Sequence, residues 1–303
     1  MNFSTNKPLD KILNGLFVPY AERVPDVKII TTAMKNIGII SKQQDITNDH
    51  IAFRTLGVPK LGIESFEKIF LHHGYTKQDH YFFAKKKLNA YWYKPPHDRY
   101  PRIFISELKV ESLSKTSQEI ILSYTQGIQK DPISEIDLNR PEEVVDVLHK
   151  ALWKLPSLED YNALLKESEY GAWVIYNRYY LNHYTISVHE LPSPYNDLEF
   201  FNSFLKSIGV VLNDAGGEIK ISHDTLLRQS STVAQSVSAT FANGETSDIA
   251  GSYVEFAERL PLPQFNHIPK EKLTNSHRRE GFETGNADKI FESTFRDQLK
   301  KSL

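Results

Sequence analysis

One stretch near the start of the chain, Asn48 to Thr55, contains polar and apolar residues in the order N-D-H-I-A-F-R-T, which we interpret as a two-sided pattern. This pattern predicts a β-strand, in which successive side chains point to opposite faces. One face then carries His50, Ala52 and Arg54, and a histidine and an arginine on either side of a small alanine leave room for a metal-bound anion. An ordinary half-buried strand with a solvated polar face gives the same pattern. The residues expected on the other face, packed against helices, are Asp49, Ile51 and Phe53.

A helix and three more strands follow, so residues 48–110 form one predicted βαβββ module. Apolar residues spaced three and four apart predict a helix from about residue 62 to residue 73, and Gly74 can end it. Aromatic and β-branched residues favour strands in the rest of the module. The predicted strands are residues 75–84, 88–93 and 102–110.

The same series returns in residues 173–262, which we interpret as a second βαβββ module. Its first strand, residues 181–188, carries His183 directly after an asparagine, as His50 follows an aspartate. Its helix, residues 197–208, again ends at a glycine, and the last strand carries Glu255 where the first copy carries Glu107. Recurrence in one order predicts an internal repeat. The remaining strand-like segments are 218–234, 237–241 and 251–259, with Asn243-Gly244 as the turn before the last strand.

Helical patterns lie outside the two modules. Residues 1–47 are predicted to form N-terminal helices, and residues 111–172 a helical connector divided by prolines. Residues 263–303 form a charged C-terminal tail with helical periodicity at 288–299, to which we assign no chemistry. The predicted fold class is therefore α+β, with two βαβββ modules forming a curved mixed sheet, N-terminal helices and a helical connector.

Ligands in paired modules of this kind are expected on the first and fourth strands, because side chains there meet across neighbouring strands. Two histidines and one carboxylate with open positions opposite are the facial arrangement of non-haem Fe(II) sites, and zinc at a hydrolytic site is also admissible. We favour Glu255 over Glu107 as the carboxylate, because Arg259 follows Glu255 as Arg54 follows His50. The four candidates are His50, Glu107, His183 and Glu255.

The composition limits the kinds of molecule that this protein is expected to bind. Hydrophobic residues make up 40% and charged residues 24% of the 303 residues, which is typical of a soluble globular protein. A net charge of -2, without a basic run interleaved with aromatics, argues against nucleic acid. The chain has no cysteine, so any metal must rest on His, Asp and Glu. The N-terminal residues lack an apolar signal core, and no apolar run approaches the roughly 20 residues that span a bilayer, so we expect a cytoplasmic protein with no membrane partner.

Four motifs together resemble a known family. They are D-H-I-A-F-R-T at 49–55, N-H-Y-T at 182–185 after Trp173, L-L-R-Q-S-S-T-V-A at 226–234, and G-S-Y-V-E-F at 251–256. As a set they are similar to the 2-oxoadipate dioxygenase/decarboxylase family, D-2-hydroxyglutarate synthase-like enzymes of lysine catabolism that belong to the vicinal oxygen chelate superfamily. The resemblance covers roughly residues 10–270, which is essentially the whole chain.

The resemblance implies a reaction and a set of roles. It implies Fe(II) bound by His50, His183 and Glu255, and a substrate carboxylate bound by Arg54. The implied reaction converts the 2-oxo acid 2-oxoadipate and O2 into 2-hydroxyglutarate and CO2. Arg54 would then pair bidentately with the distal carboxylate of the substrate and so select dicarboxylic acids.

Gln229 and Ser231 share one face of a predicted strand and could hydrogen-bond the substrate or a ligand histidine. Pairing with neighbouring strands would explain them equally well. Two other functions stay open: a non-catalytic vicinal-oxygen-chelate protein that binds a small molecule, and a zinc hydrolase or isomerase on the same scaffold, which would act without oxygen. The complete set of His50, His183 and Glu255 argues against a pure binder, which needs no metal with open positions.

Overall fold

The structure, a computed structural model, describes residues 7–300. Two helices come first, α1 (Pro8–Arg23) and α2 (Pro25–Asn36). A proline opens each of them, because its fixed φ suits the first helical turn and its missing N–H is not needed there. None of the described helices is long and apolar enough to cross a membrane.

The first module has the predicted series of elements. Its members are β1 (Asn48–Leu56), α3 (Ile63–His72), β2 (Thr76–Phe83), β3 (Leu88–Lys94) and β4 (Arg102–Leu108). Phe53 on β1 packs its ring 4.6 Å from that of Phe66 on α3, so the apolar face of β1 is covered by a helix, as expected. The stop at Gly74 is confirmed too, since this residue has a φ of 86°, which favours glycine.

Helices connect the two modules, and the connector is longer than predicted. It consists of α4 (Lys115–Thr125), α5 (Pro141–His149), α6 (Leu158–Glu167) and α7 (Glu169–Asn177). The predicted start of the second module, residue 173, therefore falls inside α7. Trp173 is buried there, and its indole N–H donates to the carbonyl of Gly251, just before the last strand.

The second module departs from the prediction at its third strand. The elements are β5 (His183–Ser187), α8 (Leu198–Ser207), β6 (Lys220–Ile221), β7 (Leu227–Ser231), β8 (Ser236–Thr240), β9 (Thr246–Ala250) and β10 (Tyr253–Arg259). Strands β8 and β9 pair only with each other and form a separate two-stranded sheet. Asn243-Gly244 therefore joins β8 to β9, and the prediction that this turn leads directly into the last strand is wrong. After β10 the chain forms α9 (Thr284–Ile290) and α10 (Arg296–Leu299).

The remaining eight strands form one mixed sheet in the order β2-β3-β4-β1-β5-β10-β7-β6. The first strands of the two modules, β1 and β5, lie antiparallel in its middle, and each is flanked by the parallel last strand of its own module, β4 or β10. The predicted α+β class with two βαβββ modules in a curved mixed sheet is confirmed. Because β1 and β5 are neighbours, His50 and His183 are brought together from distant parts of the sequence.

The strand register corrects the predicted correspondence between the two glutamates. His50 lies beside Arg102, and His183 lies beside Tyr253. Two residues further along the last strands, Phe104 therefore matches Glu255. Glu107 was predicted to be the counterpart of Glu255, but by the same register it matches Glu258.

Candidate metal and substrate site

Three candidate ligands meet on one face of the sheet. His50, His183 and Glu255 each offer one ligand atom, and these atoms all lie within 4.8 Å of one another. Oε2 of Glu255 is 3.0 Å from Nε2 of His183 and 3.4 Å from Nε2 of His50, and the two Nε2 atoms are 3.3 Å apart. All three residues are buried, with at most 5% of their surface exposed.

The second ring nitrogen of each histidine contacts the residue directly before it. Nδ1 of His50 lies 2.9 Å from a carboxylate oxygen of Asp49, and Nδ1 of His183 lies 3.0 Å from the side-chain oxygen of Asn182. An acceptor at Nδ1 keeps the proton there and leaves Nε2 free to bind a metal. The Asp-His and Asn-His pairs are visible in the sequence, and this shared dipeptide was the signal that could have identified Asp49 and Asn182 as positioning residues.

Asp49 departs from the expected alternation of β1. It was predicted to face the helices with Ile51 and Phe53, but its carboxylate lies against Arg259, whose Nε and Nη2 donate to it over 2.6 and 2.9 Å. The pairing of β1 with β5 is irregular between Asn48 and Ile51, and this local irregularity explains the exception. Burial would raise the pKa of Asp49, but Arg259 and Arg102 outweigh it and hold that pKa well below its usual range.

Glu255 is held as a carboxylate. Burial would raise its pKa, but the two histidines beside it lower the pKa to about 2. Burial lowers the pKa of His183 to about 4, against the attraction of Glu255. The site therefore combines an anionic carboxylate with a neutral His183, which are the protonation states that metal ligands need.

Gln229 contacts the carboxylate oxygen that faces away from the histidines. Its side-chain amide donates to Oε1 of Glu255 over 2.6 Å, and the residue lines the site cavity. The hydroxyl of Ser231, two residues along β7, lies 2.8 Å from that of Ser293 in the C-terminal segment. For Ser231, contact with substrate stays a prediction.

Glu107 lies on the opposite face of the sheet, away from the three ligands. Its Oε2 accepts the backbone N–H of Ile63, the first residue of α3, over 2.8 Å. Glu258 accepts the backbone N–H of Leu198, the first residue of α8, over 3.3 Å. The two glutamates thus bind the first turns of equivalent helices, which agrees with the register and gives Glu107 a structural role.

Arg54 is almost fully buried, with 1% of its surface exposed. Its Nη1 donates to the hydroxyl of Thr294 over 2.9 Å and its Nη2 to the carbonyl of Phe291 over 3.2 Å. The rings of Tyr170, Trp173 and Phe291 lie 5.1 to 5.6 Å from its guanidinium carbon. Within residues 7–300 its Nε has no hydrogen-bond partner and its charge is paired with no carboxylate.

A small cavity lies beside the three ligands. Phe104 and Tyr253 line it from the sheet, and Phe282, Ile290 and Phe291 line it from the segment that follows β10. The ring of Phe282 lies 4.8 Å from that of His50. The C-terminal tail, to which we assigned no chemistry, therefore forms one wall of the site, and its apolar residues gave no signal because nothing in the tail's sequence shows where it docks.

The donor set fits a divalent metal. Two imidazole nitrogens and one carboxylate oxygen suit iron and also zinc, and the absence of any thiolate agrees with both. Two features of the described residues support a metal rather than a purely structural cluster. The three buried polar groups converge with their ligand atoms facing one another, and each of the three receives a separate polar contact on its far side, from Asp49, Asn182 or Gln229.

Comparisons with known proteins identify the family to which this chain is similar. The model of the HGLS family, 2-oxoadipate dioxygenase/decarboxylase, matches residues 12–271. The chain is 41% identical over 301 residues to the chloroplastic 2-oxoadipate dioxygenase/decarboxylase of Arabidopsis thaliana, with 96% of this chain and 78% of that protein covered. It is 42% identical over 300 residues to the chloroplastic/amyloplastic protein of the same name from Oryza sativa subsp. japonica, covering 96% of this chain and 79% of that protein.

The fold is similar to that of a solved structure from the same group of proteins. The crystal structure of the hydroxyglutarate synthase from Oryza sativa, in complex with 2-oxoadipate, superimposes with a TM-score of 0.86 at 42% identity. The match covers 95% of this chain and 92% of that chain. Both modules and the connecting helices are therefore shared along nearly the full length.

Proposed function

Because this chain belongs to the 2-oxoadipate dioxygenase/decarboxylase family, we propose that it is an Fe(II)-dependent enzyme that converts 2-oxoadipate and O2 into 2-hydroxyglutarate and CO2. The proposed reaction balances: one carbon and two oxygen atoms leave as CO2, and both atoms of O2 are accounted for in the two products. The observation that carries the proposal is the convergence of His50, His183 and Glu255 in a buried cavity.

The proposed metal ligands are those three side chains. A metal bound there would offer the open positions that O2 and a 2-oxo acid need and would mediate electron transfer from the 2-oxo acid to O2. The protein's part is to bring the three ligands together, to keep Glu255 ionised and His183 neutral, and to exclude water. Asp49 and Asn182 keep the two histidines oriented, and Glu255 stays ionised at neutral pH because its pKa is about 2.

Arg54 is the proposed anchor of the distal carboxylate of the substrate. A buried guanidinium without a carboxylate partner is costly, and a substrate carboxylate would supply the missing charge. Arg54 and His50 lie on the same face of β1, separated by Ala52, so a dicarboxylic acid could reach from the metal to the guanidinium. Gln229, which lines the cavity, is a proposed further contact of the substrate.

The finer parts of the proposal rest on the family resemblance alone. These are the identity of the metal as Fe(II), the use of O2 and a place in lysine catabolism. The cytoplasmic location predicted from the sequence stays a prediction, since the two plant relatives are described as chloroplastic.

The test is metal loading followed by turnover. The purified chain is freed of metal, loaded anaerobically with Fe(II) and mixed with 2-oxoadipate in oxygenated buffer. We expect O2 uptake, CO2 release and 2-hydroxyglutarate formation in equal amounts, and no turnover with the His183→Ala variant. Conversion of substrate without O2 in zinc-loaded protein would favour a hydrolase or isomerase, and tight binding of 2-oxoadipate without conversion under any loading would favour a pure binding protein.

A further inference from the structure

A chain of hydrogen bonds connects the C-terminal segment to Glu255. The side-chain amide of Asn286, on α9, donates over 3.0 Å to the side-chain oxygen of Gln229 on β7. Gln229 in turn donates over 2.6 Å to Oε1 of Glu255 on β10. Asn286, Gln229 and Glu255 are buried, with at most 3% of their surface exposed, so water does not compete for these contacts.

The donor and acceptor roles along these hydrogen bonds are fixed by groups that can only accept a hydrogen bond. The amide nitrogen of Asn286 also lies 3.2 Å from the backbone carbonyl of Lys220 and 3.4 Å from that of Leu227. These carbonyls require the nitrogen of Asn286, rather than its oxygen, on that side. Gln229 must then turn its oxygen toward Asn286 and its NH2 group toward Glu255, where an ionised carboxylate also requires a donor.

Because Gln229 is fixed in this way, the two carboxylate oxygens of Glu255 have different partners. Oε1 accepts the amide of Gln229, whereas Oε2 lies 3.0 and 3.4 Å from the Nε2 atoms of the two histidines. If Gln229 were free to turn, its oxygen would repel Oε1, and the carboxylate would rotate. Asn286 prevents that turn.

We propose that Asn286 is a positioning residue of the metal centre: through Gln229 it holds Oε1 of Glu255 and leaves Oε2 as the one oxygen available to a metal. This inference rests on the proposed function, because it assumes that the three side chains bind a metal. It extends the site to α9, a helix of the segment after β10 that contributes no proposed ligand. The docking of α9 and the affinity for metal are thereby linked.

Metal affinity of the full chain tests the proposal without relying on turnover. Fe(II) is titrated anaerobically against a competing chelator, and Co(II) absorption spectra report the coordination. We expect Asn286→Ala to weaken Fe(II) binding by about 10-fold and to change the Co(II) spectrum, since loss of outer contacts to metal ligands typically costs 10- to 100-fold. We expect Gln229→Leu to weaken binding at least as much, and Asn286→Ala to add less than about 2-fold in that background, because the two residues act in one chain.

Asn202→Ala is the matched control. Asn202 is also a buried amide that contacts β7, but it accepts the hydroxyl of Ser230 over 2.8 Å on the opposite face of the sheet. We expect this variant to lose stability while it keeps wild-type metal affinity. Should Asn286→Ala not fold, Gln229→Leu alone decides.

Two results overturn the inference. One is wild-type affinity in the folded Asn286→Ala variant or in Gln229→Leu. The other is an undiminished effect of Asn286→Ala when Gln229 is already replaced. Failure of the proposed function looks different, because the wild-type chain itself would then either bind no Fe(II) or bind it without consuming O2 and 2-oxoadipate.

Discussion

The surroundings of Arg54 indicate that its buried guanidinium binds a ligand. Its guanidinium is buried among aromatic rings and bonded to the neutral oxygens of Thr294 and Phe291. Burial lowers its pKa, which is the sign of a cation without adequate compensation. A carboxylate docked there would be held by a planar, bidentate donor that a lysine cannot reproduce.

We therefore predict that Arg54→Lys lowers kcat/KM for 2-oxoadipate by about 100-fold while leaving Fe(II) affinity unchanged. The loss should be much smaller with 2-oxohexanoate, which has no distal carboxylate to bind. Arg228→Lys is the control, since Arg228 pairs with Asp197, Glu199 and Glu258 on the other face of the sheet. Normal turnover of 2-oxoadipate by Arg54→Lys would remove Arg54 from the substrate site.

The two glutamates considered as the metal carboxylate offer a direct comparison. Glu255→Gln should weaken Fe(II) binding by at least 100-fold, because the anionic ligand between the histidines is lost. Glu107→Gln should bind Fe(II) as the wild type does, since a glutamine oxygen can still accept the N–H of Ile63. Anaerobic titration of both variants measures this difference. Equal weakening in the two would mean that Glu107 belongs to the site after all.

The internal repeat indicated His50, His183 and one of two glutamates as ligands, and the family resemblance favoured Glu255, but neither could align the two modules correctly. The expected match between Glu107 and Glu255 failed because a strand register depends on backbone pairing, which the sequence does not display. The true counterpart of Glu255 is Phe104, an apolar residue that reveals nothing of its position. Asp49 was misplaced for a similar reason, since the irregularity in β1 depends on its pairing with β5.

At the scale of elements, one carboxylate of the connector links several segments of the chain. Glu167, the last residue of α6, accepts the backbone N–H of Ser114 over 2.9 Å, the hydroxyls of Ser114 and Ser117 over 2.6 Å, and Lys87 over 3.0 Å. Ser114 is the residue before α4, so Glu167 joins the end of one helix to the start of another. Burial opposes its ionisation, but these donors lower its pKa to about 2.

The sign of the resulting pH dependence follows from that shift. The folded-state pKa lies below the value of 4.5 for a free glutamate, so this carboxylate stabilises the fold above that value and ceases to do so as the pH falls toward 2. Glu167→Gln should lower the free energy of unfolding by about 1 kcal/mol at pH 7, and the difference from wild type should shrink as the pH falls below 4.5. Urea denaturation at a series of pH values measures both. Glu119→Gln, an exposed position on α4, should show no such trend.

The elements that were predicted well are those with a strong local pattern. Both N-terminal helices, α3, α8 and the paired strands of the first module follow from apolar spacing and from the glycines or prolines that bound them. The β8–β9 hairpin was misassigned because its strands alternate like any others, and only long-range pairing shows that they leave the main sheet. Local periodicity predicts that a strand exists, whereas the strands with which it pairs depend on the whole fold.

At the scale of the whole molecule, the internal repeat made the architecture predictable. Two similar modules bury their first strands side by side, and this arrangement brings together histidines that lie 133 residues apart. The C-terminal segment is a different case. It docks over the cavity through Phe282, Asn286 and Phe291, and contacts of this kind between distant parts of the chain have no counterpart in the sequence of either partner.

A site assembled from both modules and the C-terminal segment makes metal binding a property of the whole fold. A metal that binds only the folded chain stabilises it by about 2.7 kcal/mol at a free concentration 100-fold above its Kd. For a chain of this size the midpoint of thermal unfolding should then rise by about 4 °C with Fe(II), Mn(II) or Zn(II), and fall back when a chelator is added. Glu107→Gln should keep the shift, whereas Glu255→Gln should lose it, because only Glu255 touches the two histidines. An equal shift in Glu255→Gln would place the stabilising metal elsewhere in the molecule.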